Sequence, residues 1–327
     1  MYLVRRLVVG VEMPETTPWD AANLEAPSRI AVRSAFQLAR SLHLPVTLVT
    51  VLPEPSTGWF GSEEDAAEQF EKLREESLAV LRDLSRQYTG LPDEKNDVQV
   101  IAASGRPWFE ILRASGNAPD VMTVCGTRHQ SLAGRVLFGS TGMKLLRNAA
   151  GPVWLVEPRP DDDDRLDILA ATDLSPVGQD ILTMSVEIAN ALESRLHVLH
   201  VVEGIPQRYL QRSARSADDT HLWLEKQREQ AEHALQDQLS STDYRTLQQG
   251  VQTHIRIGSA ENSILEAIRD LKINLLIIAT QARGGIAAML PGGTAEQLLN
   301  EAPCSVIVIK PEDFVSPVQG LQTPYLR

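Results

Sequence analysis

The sequence predicts an α/β protein made of two tandem repeats of one domain, each an open, mostly parallel five-stranded sheet with helices on both faces. Three observations support this prediction. Short apolar segments alternate with amphipathic ones, a Pro- and Asp-rich stretch divides the chain near its middle, and landmarks of the first half recur in the second. Parallel neighbouring strands need long right-handed crossovers, which the amphipathic segments supply as helices.

The strands predicted in the first half are apolar runs bounded by polar residues, as expected of strands that are buried on both faces. They are Leu7–Val11, Pro45–Val51, Val98–Ala102, Val121–Cys125 and Val153–Val156. Between them, apolar residues recur at helical spacing. The predicted helices are Arg29–Leu42, Glu63–Tyr88, Pro107–Ser115 and one that begins near Thr141.

The stretch from Pro158 to Arg165 combines two prolines with four successive aspartates. Such a segment repels itself and stays extended, which favours an inter-domain linker over a metal-binding acidic cluster. We therefore predict a first domain over residues 1–158, a linker over 159–165, a second domain over 166–311 and a C-terminal tail over 312–327.

Internal repetition is the strongest signal in the chain. Several landmarks recur with an offset of 153 residues, namely Gly105 with Gly258, Gly126 with Ala279, Gly139 with Gly292, and Pro158 with Pro311. Nearer the start, Glu12 corresponds to Asp173 with an offset of 161, and Val51 corresponds to Val201 with an offset of 150. The first half therefore has eleven extra residues in the loop from Met13 to Ser28. This loop follows the first strand, at the sheet edge where open α/β sheets bind ligands, so we expect it to lie over the site.

Composition and charge limit the classes of function that the chain can have. The chain has 327 residues, a net charge of −12 and 43% hydrophobic residues, which fits two globular domains and disfavours binding to nucleic acid. No apolar stretch is long enough to span a membrane, so we expect a soluble protein. Cys125 and Cys304 belong to no metal-binding or disulfide spacing, which fits a reducing compartment and predicts a cytoplasmic protein.

One motif carries candidate ligand chemistry. In the first half, the fourth strand leads into Gly126-Thr127-Arg128-His129, and nine residues later Gly139-Ser140-Thr141 opens a helix. Glycines let the backbone approach a phosphate, and the amides at a helix N-terminus point at an anion. The same glycines would also serve tight turns in a protein without a ligand.

This arrangement resembles the universal stress protein family, whose nucleotide-binding members carry Gly, two residues, Gly, nine residues, Gly, and then Ser or Thr. Asp173 at the end of a strand, Gly105-Arg106-Pro107 and the closing segments of both halves add to the resemblance. It implies the adenine-nucleotide alpha-hydrolase-like fold, in its tandem form, and a role in stress survival. It also implies a homodimer of tandem chains or a monomer that mimics a dimer.

The resemblance implies candidate nucleotide-binding positions in both halves. They are Glu12, Val51, Gly126, His129, Gly139, Ser140, Thr141, Asp173, Val201, Gly292 and Gly293. The chain departs from the motif at several of them: His129 replaces the second glycine, Glu12 replaces the aspartate, and Gly293 replaces the hydroxyl residue. In the second half, Ala279 and Ala282 replace the first two glycines, and their methyl groups obstruct a phosphate. We expect ATP binding, if there is any, in the first half. Asp173 also fits the N-cap region of a helix.

The favoured function is that of a non-enzymatic stress-response binding protein with partly degenerate nucleotide motifs. The alternative is an ATP-dependent switch or a weak ATP hydrolase that uses the first domain, and an apolar ligand between the halves is a third hypothesis. No nucleophilic-elbow, Walker or HExxH motif occurs in the sequence. His197 and His200 lie three residues apart on a predicted strand, so they should face opposite ways and not share a metal.

Overall fold

A computed structural model describes the chain over residues 4–54, 62–91, 97–127, 139–158, 166–203, 217–280, 298–299, 301–318 and 320–321. Its contacts divide the chain into two compact units. One contains the described residues of the N-terminal half, up to residue 158, together with those from Val315 onward. The other contains the described residues between 166 and Phe314.

The N-terminal half alternates strands and helices in the predicted order. Its strands are β1 (Arg6–Gly10), β2 (Val46–Leu52), β3 (Val98–Ser104), β4 (Val121–Gly126) and β5 (Val153–Val156). Its helices are α1 (Ala26–Leu42), α2 (Glu63–Thr89), α3 (Pro107–Ser115) and α4 (Ser140–Asn148), with a short 3₁₀ turn at Ala21–Asn23.

The C-terminal half repeats the same alternation. Its strands are β6 (Asp167–Thr172), β7 (Arg195–Glu203), β8 (Val251–Gly258), β9 (Leu275–Ala279) and β10 (Ser305–Ile309). The helices described there are α5 (Pro176–Ala191), α6 (Ala217–Ser240) and α7 (Ala260–Asp270), with a 3₁₀ turn at Tyr244–Thr246.

The two halves have the same strand order, which confirms the duplication. In the first half the order is β3-β2-β1-β4-β5, and in the second it is β8-β7-β6-β9-β10. Every adjacent pair within each half is parallel. In both halves the first strand lies at the centre, between the second and the fourth, so the carboxyl ends of these three strands meet at one edge. Such an edge is where α/β sheets bind ligands.

Apolar runs form the central strands because both faces are covered by helices. Leu7, Val8 and Val9 of β1 are fully buried, and so are Ile168 and Leu169 of β6. The helix bounds also follow local chemistry. The Ser62 side chain caps the N-terminus of α2 by accepting from the amide of Asp65. Gly90, whose φ of 67° suits glycine, caps its C-terminus after Thr89.

Most predicted bounds agree with the structure to within one or two residues. The largest difference is at α1, which begins at Ala26 rather than at Arg29. Pro27 lies in its first turn, where a proline fits because the amide of that position has no partner inside the helix. The first turn of α1 thus reaches further toward the loop than the apolar periodicity indicated.

Residues from Val315 onward are part of the unit formed by the N-terminal half. The side-chain amide of Asn117 donates to the Ser316 hydroxyl at 2.7 Å and to the Val318 carbonyl at 3.0 Å. Its oxygen accepts from the Ala150 amide at 2.8 Å, and the Ser316 hydroxyl donates to the Asn148 carbonyl at 2.6 Å. One asparagine therefore connects the ends of two helices to the C-terminal residues.

Candidate functional site

Candidate residues of the first half meet at the carboxyl edge of its sheet. Glu12 follows β1, Val51 lies near the end of β2, and Gly126 is the last residue of β4. Because β1 pairs with both β2 and β4, these three positions stand at the ends of adjacent strands. Glu12 is exposed and Val51 is half-buried. The strand order therefore brings together residues that are far apart in sequence.

Gly126 makes a close backbone contact at this edge. A Cβ atom on residue 126 would lie 2.2 Å from the carbonyl oxygen of Pro27 and 2.7 Å from the Pro27 Cβ. No side chain fits there, because real Cβ atoms do not come within 3 Å of backbone atoms. The described structure therefore accounts for this glycine by the packing of α1 against β4.

The loop after β1 is fixed to the strand that precedes it. The amide of Glu12 donates to the Ser28 hydroxyl at 2.9 Å, and that hydroxyl donates to the Glu12 carbonyl at 3.3 Å. Within the loop, the indole nitrogen of Trp19 donates to the Pro14 carbonyl at 2.9 Å. Ser28 is 4% exposed, so its hydroxyl joins the end of β1 to the first turn of α1 inside the protein.

The start of α4 is a different environment. Gly139 precedes the helix, and both it and Ser140 are exposed, whereas Thr141 is half-buried. No side chain caps the helix, and no described atom lies within 4 Å of a Cβ placed on Gly139. The φ of Gly139 is −59°, which other residues adopt readily. Within the described ranges, neither packing nor backbone conformation requires a glycine here. His129 lies outside the described residues.

In the second half, Asp173 belongs to the N-cap region of α5. Its carboxylate accepts from the amide and the hydroxyl of Ser175, and the Ser175 hydroxyl accepts from the Gly178 amide at 3.2 Å. Leu174, between them, has a φ of 62°, and its carbonyl accepts from the Gln238 side chain at 3.0 Å. Asp173 is exposed, but its described contacts serve this turn.

A second close approach occurs at the same turn. A Cβ on Gly178 would lie 2.4 Å from the Thr172 hydroxyl and 3.1 Å from the Asp173 carboxylate. Gly178 follows Ser28 by 150 residues, the offset that also relates Val51 to Val201. Both halves thus place a small residue of the first helical turn against the end of the first strand. Val201 is half-buried on β7, and Gly292 and Gly293 lie outside the described residues.

Cys125 lies directly below the edge of the first half. Burial raises the pKa of its thiol to about 12, so the thiol stays protonated and is a poor nucleophile near neutral pH. In the parts of the chain that the structure describes, no three His, Cys, Asp or Glu side chains are grouped so that they could hold a metal. The Cys125 thiol is therefore not a candidate nucleophile of this edge.

The sequence predicted which strand ends form the candidate site, but it did not predict the contacts that the candidate residues make there. Pro27 and Ser28 were not candidates, although they contact the candidates Gly126 and Glu12. Gln238 was not a candidate either, although it bonds to Leu174, the residue after Asp173. The offset of 150 between Ser28 and Gly178 was a usable signal, because it aligns two small residues at the start of two equivalent helices. No described helix is long and apolar enough to cross a membrane.

Comparison with known proteins follows the duplication. A model of the universal stress protein family matches the chain twice, over residues 21–157 and 166–310. A universal stress protein of Mycolicibacterium smegmatis is 27% identical over 317 residues, covering 93% of this chain and 97% of that protein. Universal stress protein E of Escherichia coli strain K12 is 24% identical over 225 residues, covering 65% of this chain and 68% of that protein.

Solved structures show the same fold over both halves. A universal stress protein from Pseudomonas aeruginosa UCBPP-PA14 has a TM-score of 0.64 and 19% identity, and the match covers 95% of this chain and 94% of that one. One from Archaeoglobus fulgidus DSM 4304 has a TM-score of 0.60 and 18% identity, with 93% and 98% covered. Since the family model matches each half and the two halves share one strand order, the chain belongs to the universal stress protein family and contains two copies of its domain.

Proposed function

We propose that this chain is a stress-response binding protein rather than an enzyme, and that its first half binds the phosphates of an adenine nucleotide at the start of α4. The observation that supports this most is Gly139. It stands at a helix N-terminus with no capping side chain, and no described atom fills the space beside it. A glycine that neither packing nor conformation requires is explained if a ligand approaches the backbone there.

The chemistry of α4 suits an anion. The first amides of a helix have no partner inside the helix, and the helix dipole favours negative charge at that end. Ser140 and Thr141 add hydroxyl groups beside those amides. A phosphate bound there would therefore receive hydrogen bonds from both backbone and side chains. Glu12 and Val51, at the neighbouring strand ends, are the positions proposed for the rest of the nucleotide.

The same site has a feature that weakens it. On the side that a Cβ would occupy, Gly126 is in contact with the Pro27 carbonyl, so a phosphate reaches that side of its backbone only if the first turn of α1 moves. We therefore propose that the nucleotide binds weakly, with its phosphates held by the start of α4 and not also by the backbone of Gly126. In the second half, Ala279 carries a methyl group at the position of Gly126, and Asp173 is engaged in the helix cap. We propose that the second half does not bind nucleotide.

The cellular location and the oligomeric state of the protein are further proposals. Cys125 and Cys304 are buried thiols and not a disulfide, which supports a reducing cytoplasm. Two domains in one chain supply what two single-domain chains supply by pairing, so we propose a pseudo-dimeric monomer or a homodimer of tandem chains. Light scattering separates a particle of 36.0 kDa from one of twice that mass.

The experiment compares thermal unfolding with and without millimolar ATP, ADP or AMP and Mg²⁺, after any co-purified nucleotide has been measured. We expect ATP to raise the Tm of the wild type, because a ligand that binds only the folded state stabilises it. Gly139→Val and Ser140→Ala should reduce the increase. Ser259→Ala is the matched control, because Ser259 also begins a helix without a side-chain cap bond but lies in the second half.

Each outcome decides between the hypotheses. If millimolar nucleotide leaves the Tm unchanged and no nucleotide co-purifies, the proposed site is wrong. A nucleotide effect that Ser259→Ala removes and Gly139→Val does not would place the site in the second half. Phosphate release from ATP that depends on Gly139 would support the alternative, an ATP-dependent switch or weak hydrolase.

A further inference from the structure

Two histidines connect neighbouring strands in the second half. The Nδ1 atom of His197 on β7 lies 3.1 Å from the Nε2 atom of His254 on β8. Their ring centroids are 5.3 Å apart, with an angle of 28° between the rings. The strands are parallel, and His254 is in register with Leu199, two residues beyond His197. The contact is therefore a diagonal cross-strand pair on one face of the sheet.

The two histidines differ in burial. His197 is 3% exposed, whereas His254 is half-buried. The other ring nitrogen of His197, Nε2, has no hydrogen-bond partner among the described residues and lies 4.0 Å from the nearer Asp167 oxygen. Among the described residues, the hydrogen-bond contact of the His197 ring is thus with the ring of His254. His200 is not part of the pair, because its Nδ1 lies 2.9 Å from the Thr172 carbonyl.

The contact requires one hydrogen between two nitrogens. One ring donates its N–H and the other accepts with its lone pair, so the pair exists while at least one of the two rings is neutral. When both rings are protonated, both nitrogens carry a hydrogen and two like charges stand next to each other. The hydrogen bond is then lost and replaced by repulsion.

Charged groups surround the pair on three strands and one helix. Asp167 lies near His197 and also near Arg195, whose guanidinium is 3.7 Å from the same carboxylate. Arg256, next along the same face of β8, pairs with Asp270 at 2.9 Å and with Glu266 at 3.5 Å, both on α7.

These neighbours set the direction of the titration. Burial, then the charge of His254, lowers the pKa of His197, and Arg195 adds to this while Asp167 opposes it. Burial, then Arg256, lowers the pKa of His254.

We propose that His197 and His254 form a pH-dependent latch, which holds the edge strand β8 against β7 near neutral pH and loosens it in acid. β8 is the outermost strand of the second half, and Gln252, Thr253 and Ile257 on it are exposed. A strand with one neighbour has fewer contacts to lose than a central strand, so loss of the latch acts on β8 first. A loosened edge offers unpaired amides and carbonyls to a partner strand. The latch is independent of the proposed nucleotide site.

The sign follows from linkage. Both histidines have a lower pKa in the folded protein than in the open state, so the open state binds more protons. The latch is therefore intact above the ordinary histidine pKa of about 6.5 and weakens as the pH falls below it. One linked proton changes the opening equilibrium of β8 by at most about tenfold per pH unit in this range.

The test is hydrogen exchange of peptides covering 251–258 in the full chain, at about pH 7.5 and about pH 5.5, corrected for the intrinsic exchange rate. We expect the corrected exchange of β8 to increase about tenfold at the lower pH, with β6 and β9 unchanged. His254→Phe keeps a ring but removes the hydrogen bond and one of the two titrating groups, so its β8 should exchange faster than the wild type at about pH 7.5 and show a smaller pH dependence. His221→Gln, an exposed histidine on α6, is the matched control and should behave as the wild type.

Two results would overturn the latch. One is corrected exchange of β8 in the wild type that does not change between the two pH values. The other is His254→Phe with the full pH dependence of the wild type. If His254→Phe does not fold, NMR titration of the wild-type histidines decides. The latch opens only when both rings are protonated, so a second protonation below about pH 6.5 supports it, and pKa values above about 6.5 for both histidines exclude it.

Discussion

The Cα atom of Gly126 faces the carbonyl group of Pro27 so closely that a methyl group on residue 126 would stand 2.2 Å from the Pro27 oxygen. Gly126 is the first glycine of the nucleotide motif, and Pro27 lies in the first turn of α1. On the side that a Cβ would occupy, the end of β4 is thus packed against α1. The two glycines of this motif, Gly126 and Gly139, have different surroundings.

Gly126→Ala should destabilise the protein strongly, because the new methyl group meets backbone and not a flexible side chain. We expect a loss of about 1–3 kcal/mol in the free energy of unfolding, measured by urea denaturation of the full chain. Gly139→Ala is the control: no described atom obstructs it, and its φ of −59° suits alanine. Equal destabilisation by both substitutions would contradict the packing role of Gly126.

Ser175→Ala should remove a helix cap. The Ser175 hydroxyl accepts from the Gly178 amide at 3.2 Å and begins α5. Loss of such a cap costs about 1 kcal/mol, which a shift of the urea midpoint would show. Ser259→Ala at the start of α7 should change stability much less, because the Ser259 side chain makes no cap bond. A loss of stability that is larger for Ser259→Ala than for Ser175→Ala would contradict the capping role of Ser175.

Asn117→Gly should release the C-terminal residues. Asn117 has a φ of 47°, which glycine adopts without strain, so this variant removes the side chain and keeps the turn. We expect faster hydrogen exchange around Ser316 and Val318, because both lose their bond to the Asn117 amide. Limited proteolysis should also cut the C-terminal segment sooner.

Lys272→Gly is the control for Asn117→Gly. Lys272 has a φ of 54° in the second half and an exposed side chain. Its replacement should leave the C-terminal segment as protected as in the wild type. Protection that Asn117→Gly does not change would mean that the asparagine does not hold the segment.

Cys125 should be unreactive in the native protein. The thiol is buried and burial raises its pKa to about 12, so little thiolate exists near pH 8. Cys304 is 1% exposed. We expect a thiol reagent at about pH 8 to label the native chain slowly and to label both cysteines at once in guanidinium chloride. Rapid labelling of Cys125 without denaturant would show that the edge of the first half opens readily.

Much of the fold could be predicted from the sequence. Apolar runs such as Val153–Val156 and the helix Pro107–Ser115 have the predicted bounds. These signals are local, because a strand buried on both faces needs an apolar run and a proline fits the first turn of a helix. The offset of 153 predicted the duplication without any structure, and the common strand order confirms it.

The surroundings of the candidate residues could not be predicted in the same way. The motif gave Gly126 and Gly139 the same role. The structure distinguishes them, because Gly126 at the end of β4 packs against Pro27, whereas no described atom packs against Gly139 in this way. Asp173 was assigned two possible roles, and the positions of Ser175 and Gly178 show its part in a helix cap. The pairing of His197 with His254 depends on the register of β7 and β8, which neither strand specifies alone.

The sequence by itself determined the two repeated domains, their α/β class and the strand ends at which a ligand would be sought, because periodicity and turn chemistry are properties of neighbouring residues. Only the tertiary structure decided which residue faces which across that edge. Contacts such as Gly126 with Pro27 and Asn117 with Ser316 join residues far apart in the chain. Their distances are set by how helices pack on the sheet, and a shift of about 1 Å in that packing would change which contacts exist.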